Sequence, residues 1–186
     1  MKEWTPLLPF VLVVATSFIK FSVVIAILRR AFGSSAIPPA SVGFVLALLF
    51  ALFVTAPIGE QVWKDQSAIE PVRTFFIKHT PAPERQTFFD LQRQLRPESQ
   101  RAGVSESDLM VLAPAFATAE LKAAFRIGFL LFLPFLVIEL VVATVLHSVG
   151  MFSLSPEMIS LPFKLLLFVL ADGWHLLMRG IVLSFT

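Results

Sequence analysis

Apolar residues are concentrated in four long stretches of the sequence, at residues 5–28, 31–59, 127–146 and 159–178. An α-helix rises ~1.5 Å per residue, so ~20 residues cross the ~30 Å hydrocarbon layer of a bilayer. The first stretch contains a single charged residue and the second contains none, and both are long enough to span. The other two stretches carry one and two charges and are marginal spans by hydropathy. The pattern predicts four apolar helices.

Short links at 29–39 and 147–156 join these stretches into two pairs, which predicts two long helical hairpins. We therefore expect an all-α, integral membrane-type helical protein. Its predicted regions are a first helical hairpin at 1–59, a small polar helical subdomain at 60–112, and a second hairpin at 113–186 with a loop at 147–157. The amino-terminal apolar run continues too far for a secretory leader and shows no small-residue cleavage site, so we expect a retained helix.

The segment between the hairpins, residues 60–126, contains nine basic and nine acidic residues. Pro71 opens one part of it, in which Val72, Phe75 and Phe76 recur on one helical face. Pro83 opens a second amphipathic part. Proline is favoured in the first turn of a helix, so the segment predicts two short helices that pack through one face. Residues 97–103 are typical of a loop, and a further helix is expected after residue 107, bent or restarted at residue 114.

The composition places most of this chain out of contact with water. Hydrophobic residues make up 56% of it and charged residues 15%, with 20 Phe and no Cys. Soluble domains carry roughly a quarter charged residues, and a 186-residue globule could not bury so many large apolar side chains. Lipid or partner subunits must cover the excess. The absence of Cys excludes disulfides and thiolate chemistry, and the formal net charge of +2 gives no reason to expect nucleic acid.

Catalytic and metal-binding motifs are missing from the sequence. It contains no Gly-x-Ser-x-Gly elbow, no phosphate loop ending in Gly-Lys-Ser or Gly-Lys-Thr, and no His-Glu-x-x-His pair. The three histidines, His79, His147 and His175, lie in different segments without ligand spacing. We therefore expect no enzyme activity, no metal and no cofactor.

Two ridges of small residues run along the apolar stretches at helical spacing. Such ridges let helix backbones approach closely in lipid. They are either seams between subunits or contacts within a hairpin, and the sequence leaves both interpretations open. A proline at position 134 is also expected to kink the third apolar helix. The ridge residues are Gly43, Ala47, Ala51 and Thr55 in the second stretch and Ala115, Ala119 and Ala123 before the third, and the kink residue is Pro134.

Four ionisable residues, Lys20, Glu139, Lys164 and Asp172, interrupt the apolar stretches. Charges in such positions usually face protein, water or one another. Lys164 and Asp172 would share a face of one helix but lie ~12 Å apart along its axis, too far for direct pairing. Glu139 is the candidate partner of Lys164. The charges serve either as structural ion pairs or subunit contacts, or as a proton relay.

Several sequence blocks resemble the FliP/SctR family of type III secretion export-gate proteins. In the first half these are the block at 15–24, which contains Ser-Phe-Ile-Lys-Phe, then Leu-Arg-Arg-Ala-Phe-Gly at 28–33 and Ile-Pro-Pro at 37–39. The second half has Leu-Ala-Pro-Ala-Phe at 112–116, Ala-Glu-Leu at 119–121, and the long blocks at 125–135 and 161–174. The similarity covers nearly the whole chain except about 60–107, and it favours the injectisome branch over the flagellar one.

The resemblance implies a subunit of the export gate in the bacterial inner membrane, within the basal body of the secretion system. Members form a ring of five copies with subunits of the FliQ/SctS and FliR/SctT type. The ring is the portal through which unfolded substrate proteins pass. Its helices form a tapering assembly largely lifted out of the bilayer plane, which differs from four simple spans.

The resemblance also implies that the loop between the last two helices closes the pore as a gasket. The matching segment is 150–156, and its candidate seal residues are Met151, Phe152, Ser153 and Leu154. The family has a run of methionines here, which this chain reduces to one. Two alternatives stay open: a small-solute or ion transporter subunit that uses the intramembrane charges, and a scaffold around a pore lined by other chains. A scaffold predicts that changes in the loop have no effect.

Overall fold

The computed structural model describes residues 7–33, 38–64 and 69–185, and in these ranges every regular element is a helix. The predicted all-α fold is confirmed. A short 3₁₀ helix, Glu98–Gly103, occupies the segment predicted as a loop. The α-helices are α1 (Leu7–Phe32), α2 (Ala40–Lys64), α3 (Glu70–His79), α4 (Ala82–Leu95), α5 (Leu109–Ser148), α6 (Pro156–Leu170) and α7 (Gly173–Leu183).

Two of these helices are long and apolar enough to cross a membrane, within the part of the chain that is described. They are α2, over Ala40–Val62, and the 40-residue helix α5, which at ~1.5 Å per residue is about 60 Å long. The consecutive helices α6 and α7 pass the same test as a pair, although they are bent by 62° at their junction. The described part of the chain therefore has two candidate spans, or three if the bent pair is one span.

Helix α5 begins close to the predicted start after residue 107, but it does not restart at Pro114. It continues through both Pro114 and Pro134 to Ser148. A proline inside a helix removes one backbone donor, which a long apolar helix tolerates when its other hydrogen bonds are kept. The predicted region boundary at residue 112 thus lies inside a continuous helix. The three-region division and the kink at Pro134 stay predictions.

The fourth apolar stretch is two helices, so the prediction of a single helix there is wrong. Helix α6 ends at Leu170, and Asp172 has a positive φ of 48°, in the left-handed region. Asp adopts this conformation more readily than most residues because its short polar side chain tolerates it. Since the helix breaks between them, Lys164 and Asp172 do not share a helical face as the sequence spacing suggested.

The chain divides into two compact units, one formed by residues 1–20 and 48–123 and the other by 21–47 and 124–186. In the first unit, α3 buries the face predicted from its sequence, with Val72, Phe75 and Phe76 facing inward. The rings of Phe75 and Phe76 lie 5.5 and 5.0 Å from the ring of Phe116 on α5. The backbone at Ser107 accepts a 2.9 Å hydrogen bond from Arg73 Nε. Helix α3 therefore packs as its pattern predicts, whereas α4, which was predicted to pack in the same way, buries none of its residues within this chain.

The second unit has an aromatic core between the end of α1, the middle of α5 and the end of α6. The ring of Phe32 makes edge contacts with Phe135 and Phe168, at 5.3 Å in each case. Trp174 at the start of α7 packs edge-on against Phe168, also at 5.3 Å. Aromatic pairs favour such edge-to-face arrangements. This cluster holds the base of the hairpin whose tip carries the candidate gate loop.

Candidate gate loop and buried ion pairs

The loop between α5 and α6 begins with a Schellman motif. After α5 ends at Ser148, the Gly150 N–H donates to the carbonyl of His147 at 3.1 Å, and the Met151 N–H donates to the carbonyl of Leu146 at 2.9 Å. Gly150 has a φ of +78°, which glycine adopts without the steric cost a Cβ would bring. The sequence at 146–151 therefore fixes where the long helix stops and turns the chain into the loop.

Helix α6 starts soon after, with Ser155 as its N-cap residue and Pro156 in its first turn. Between the two helix ends, apolar side chains point outward: Met151, Phe152 and Leu154 are 50%, 75% and 44% exposed. Ser153 is also exposed. Large apolar side chains clustered at an exposed turn usually mark a contact surface. The four predicted seal residues thus form the tip of this hairpin.

A fourth exposed apolar residue, Met158, extends the tip into the first turn of α6. It is 75% exposed, as much as Phe152. The sequence prediction did not include Met158 because the predicted seal was confined to the loop segment 150–156. The signal was present, since helical spacing puts a thioether two residues after Pro156 at the same end of the hairpin. Thioethers adapt to many surfaces, which is the property that the shortened methionine run reduces.

Lys164 and Glu139 form an ion pair within the second unit. Lys164 Nζ lies 2.5 Å from Glu139 Oε2, and the lysine side chain is buried while the carboxylate is about one-third exposed. The partner predicted for Lys164 is the one that the structure shows. Asp172 is exposed and takes no part in this pair. The predicted set of four charges is therefore not one cluster.

Lys20 has a partner that sequence reasoning missed. Its Nζ lies 2.9 Å from Glu120 Oε2 in the first unit, and the two side chains are only 2% and 5% exposed. Glu120 had been assigned to the balanced polar segment, although it stands alone as a charge between Leu109 and Leu121. That isolation was the available signal. The pairing itself joins residues 100 positions apart, which no local pattern predicts.

The small-residue ridges lie largely inside the chain. Every member of the α2 ridge is buried, and a Cβ added at Gly43 would lie 2.9 Å from Ile25 Cγ2 of α1. In the second ridge, Ala115 and Ala119 are buried and Ala123 is half-buried. The α2 ridge therefore contributes to close contacts within the chain, and its outward face is made of other, larger residues.

An apolar groove is formed by α5 and α6, the two helices of the candidate gate hairpin. It has a volume of about 480 Å³ and is lined only by side chains of α5 and α6, from Val137 to Leu146 and from Ile159 to Phe163. Within 7–33, 38–64 and 69–185, no group of three His, Asp or Glu side chains is placed to hold a metal ion. The arrangement offers hydrocarbon contact surfaces and paired charges.

The FliP family matches residues 3–181 of the sequence. The chain belongs to the FliP family. It is 43% identical to Yop proteins translocation protein R of Yersinia pestis and to pathogenicity-related ORF2 of Xanthomonas campestris pv. glycines, over 96% of this chain and 91% of each relative. It is 38% identical to flagellar biosynthetic protein FliP of Bacillus subtilis, over 95% of the chain and 86% of the relative.

Membership in the FliP family makes this chain a type III secretion export apparatus component. Its apolar helices are compatible with membrane insertion. The resemblance read from the sequence blocks is thereby confirmed. The match includes the candidate gate hairpin and both buried ion pairs, since residues 3–181 contain all of them.

Proposed function

We propose that this FliP family protein is a core subunit of the export gate, in which copies of the chain form the portal for unfolded substrates and the α5–α6 loop seals it. The observation that carries the proposal is the exposure of Met151, Phe152 and Leu154 at the tip of the α5–α6 hairpin. Brought together around an axis, such side chains form a narrow hydrophobic constriction. A constriction of this kind excludes water and ions by dewetting.

The sealing step is mechanical and forms no bond. A polypeptide driven through the constriction replaces the contacts that the side chains make with each other by contacts with its own side chains. Thioether and aromatic groups accept varied partners because they are polarizable and not strongly directional. The loop can therefore open around a chain and close after it.

The outer surface of the hairpins supports assembly with partners. Helix α5 leaves large apolar side chains exposed along its length, among them Phe125, Phe129, Leu136 and Leu140. Contiguous apolar surface of this kind is covered by lipid or by other protein. We propose that copies of this chain in a ring of five, together with FliQ/SctS-type and FliR/SctT-type subunits, cover it. We propose that this assembly lies in the bacterial inner membrane, in the basal body of an injectisome.

The experiment is a measurement of ion leak and substrate secretion in cells that carry Met151→Ala with Phe152→Ala. The matched control is Leu91→Ala with Leu95→Ala, which removes two exposed apolar side chains from α4 instead. Assembly of the gate complex is checked for both. The loop variant is expected to leak ions while the control does not. Normal leak and normal secretion in the loop variant would show that this loop does not seal the pore, and the chain would then be a scaffold around a pore lined by other chains.

The buried ion pair between Lys164 and Glu139 favours one alternative, a transporter that moves small solutes or ions through these charges. In that case, Glu139→Gln would abolish transport in a fully assembled complex. Under the gate proposal, Glu139→Gln instead lowers the amount of assembled complex, because it leaves a buried ammonium without its counter-charge. Comparing secretion per assembled complex separates the two functions.

A further inference from the structure

Phe152 is the most exposed side chain of the gate loop, and burial alone does not hold its ring in place. At 75% exposure, most of the ring lies outside the packed part of the chain. A sealing side chain has to occupy a defined position, because a freely rotating ring leaves gaps in a constriction. Something other than the hydrophobic core must therefore orient Phe152.

The ring of His147 lies against Phe152. Their ring centroids are 5.6 Å apart and the planes are inclined by 59°. This separation and tilt fall in the range that aromatic pairs prefer over direct face-to-face stacking. Among the residues that the structure describes, His147 supplies the ring contact of Phe152. We infer that His147 is a positioning residue of the gate, whose imidazole docks Phe152 in the sealing position; this rests on the proposed function.

His147 is itself held firmly. It lies in the last turn of the 40-residue helix α5, and its Nδ1 is 2.7 Å from the carbonyl oxygen of Ala143, one turn earlier. A carbonyl oxygen only accepts, so Nδ1 carries the hydrogen and donates it, which sets the tautomer and limits rotation of the ring. The imidazole is thus anchored to the helix before it meets Phe152.

The backbone between the two residues is also fixed. The Schellman motif that follows His147 binds the N–H groups of Gly150 and Met151 to the last carbonyls of α5. The chain is turned back at this point, and Phe152 follows directly. Helix, turn and ring contact therefore form one unit that presents Phe152 from a rigid base.

A purely structural role for His147 makes a different prediction. A basic residue near the carboxyl end of a helix interacts favourably with the helix dipole, and this effect needs charge but no ring. Two substitutions distinguish the positioning role of the ring from the interaction of a basic group with the helix dipole. His147→Phe keeps an aromatic ring without a basic group, whereas His147→Lys keeps a basic group without the ring.

The first test measures ion leak through assembled gates of His147→Ala, His147→Phe and His147→Lys, with His175→Ala on α7 as the matched histidine control. Without the contact between the two rings, the equilibrium ratio of undocked to docked Phe152 should rise by about 2- to 12-fold. This range corresponds to the free energy that aromatic pairs of this kind contribute. Leak should rise in His147→Ala and His147→Lys and return towards normal in His147→Phe. His175→Ala should leak no more than the unchanged protein.

A double variant links the effect to Phe152. If His147 acts through Phe152, then His147→Ala combined with Phe152→Ala leaks as much as Phe152→Ala alone. Leak that adds across the two changes would overturn the inference. So would restoration by lysine but not by phenylalanine. If Phe152→Ala with Met151→Ala does not leak at all, the seal itself is refuted and His147 has no seal to position.

The second test reads the contact without relying on leak. Phe152→Trp is introduced into a chain whose three native tryptophans are replaced by Phe, and the purified gate complex is measured against the same complex without the new tryptophan. A neighbouring imidazole quenches indole fluorescence, so His147→Ala should brighten the emission while His175→Ala does not. Unchanged emission in His147→Ala would refute the contact whatever the leak assay shows.

Discussion

The ion pair between Lys20 and Glu120 allows a quantitative test of how this chain stabilises charge inside an apolar fold. Its two charged atoms are 2.9 Å apart, and both side chains are more than nine-tenths buried. We consider three changes: Lys20→Met, Glu120→Gln, and the double change Lys20→Met with Glu120→Leu. The single changes leave one charged or polar group without its partner, whereas the double change replaces the pair with apolar side chains.

The size of the effect follows from the distance and the burial. At an effective dielectric constant of about 20, two unit charges at this separation attract by about 6 kcal/mol, but removing both from water costs a comparable amount. The pair therefore adds little net stability. Removing one partner leaves the desolvation cost of the other uncompensated, and such single changes cost ~3–5 kcal/mol, whereas apolar replacement of both is near neutral.

Thermal unfolding of the purified gate complex is the assay, with complex yield as a second measure. The matched control is Lys122→Ala, which breaks an ion pair between a lysine side chain that is 78% exposed and Glu84, whose side chain is 14% exposed. Because the lysine end is open to solvent, the pair should contribute about 1 kcal/mol or less. Each single change at the buried pair should lower the unfolding temperature by much more than the control does. The double change should restore most of the lost unfolding temperature. If the double change is as damaging as the single ones, the reasoning is refuted, because the loss would then come from packing and not from an unpaired charge.

Two further predictions concern a close contact and a surface charge. Gly173→Ala should lower the free energy of unfolding by ~1–3 kcal/mol, because its new Cβ would collide with the ring of Phe168. Gly180→Ala on the same helix has open space around its new Cβ, so it should be neutral or raise the free energy of unfolding by up to ~1 kcal/mol. Unfolding measurements on the two variants test this. The hydrogen bond from Lys122 lowers the pKa of Glu84 below its ordinary value of 4.5, so the pair's contribution is present above that pH and is lost as the pH falls through the lower folded pKa. Lys122→Ala should therefore lower stability near pH ~6, and this loss should shrink as the pH is lowered into the acidic range; a loss that does not change with pH would contradict it.

Local pattern predicted the parts of the structure that local physics determines. The buried face of α3 could be predicted from the sequence because Val72, Phe75 and Phe76 recur at helical spacing after a proline. The partner of Lys164 was also found, since the hairpin brings α5 and α6 side by side and Glu139 is the charge on the facing stretch.

Local patterns did not predict the ion pair between distant residues or the helix break at a residue with an unusual backbone conformation. Glu120 was missed because its partner is 100 positions away, and only the tertiary fold brings the two together. The break between α6 and α7 was missed because no proline marks it and because the apolar residues on both sides of it were treated as one stretch, although the dipeptide Asp172–Gly173 is a turn signal. What sets the break is the left-handed conformation of Asp172 and the close packing of Gly173 on Phe168, neither of which has a periodic signature.

The internal pairing of the buried lysines bears on how this chain can assemble. Lys20 and Lys164 are each neutralised by a carboxylate of the same chain, so neither needs a counter-charge from a neighbouring subunit. The surface of α5 that remains exposed is largely hydrocarbon, and hydrocarbon contacts are weakly directional. Subunits that meet through such surfaces can shift by small amounts without breaking buried charge pairs. Under the proposed gate function, a gate that widens around a passing chain and closes again would benefit from this division, with its charges fixed inside each subunit and its adaptable contacts outside.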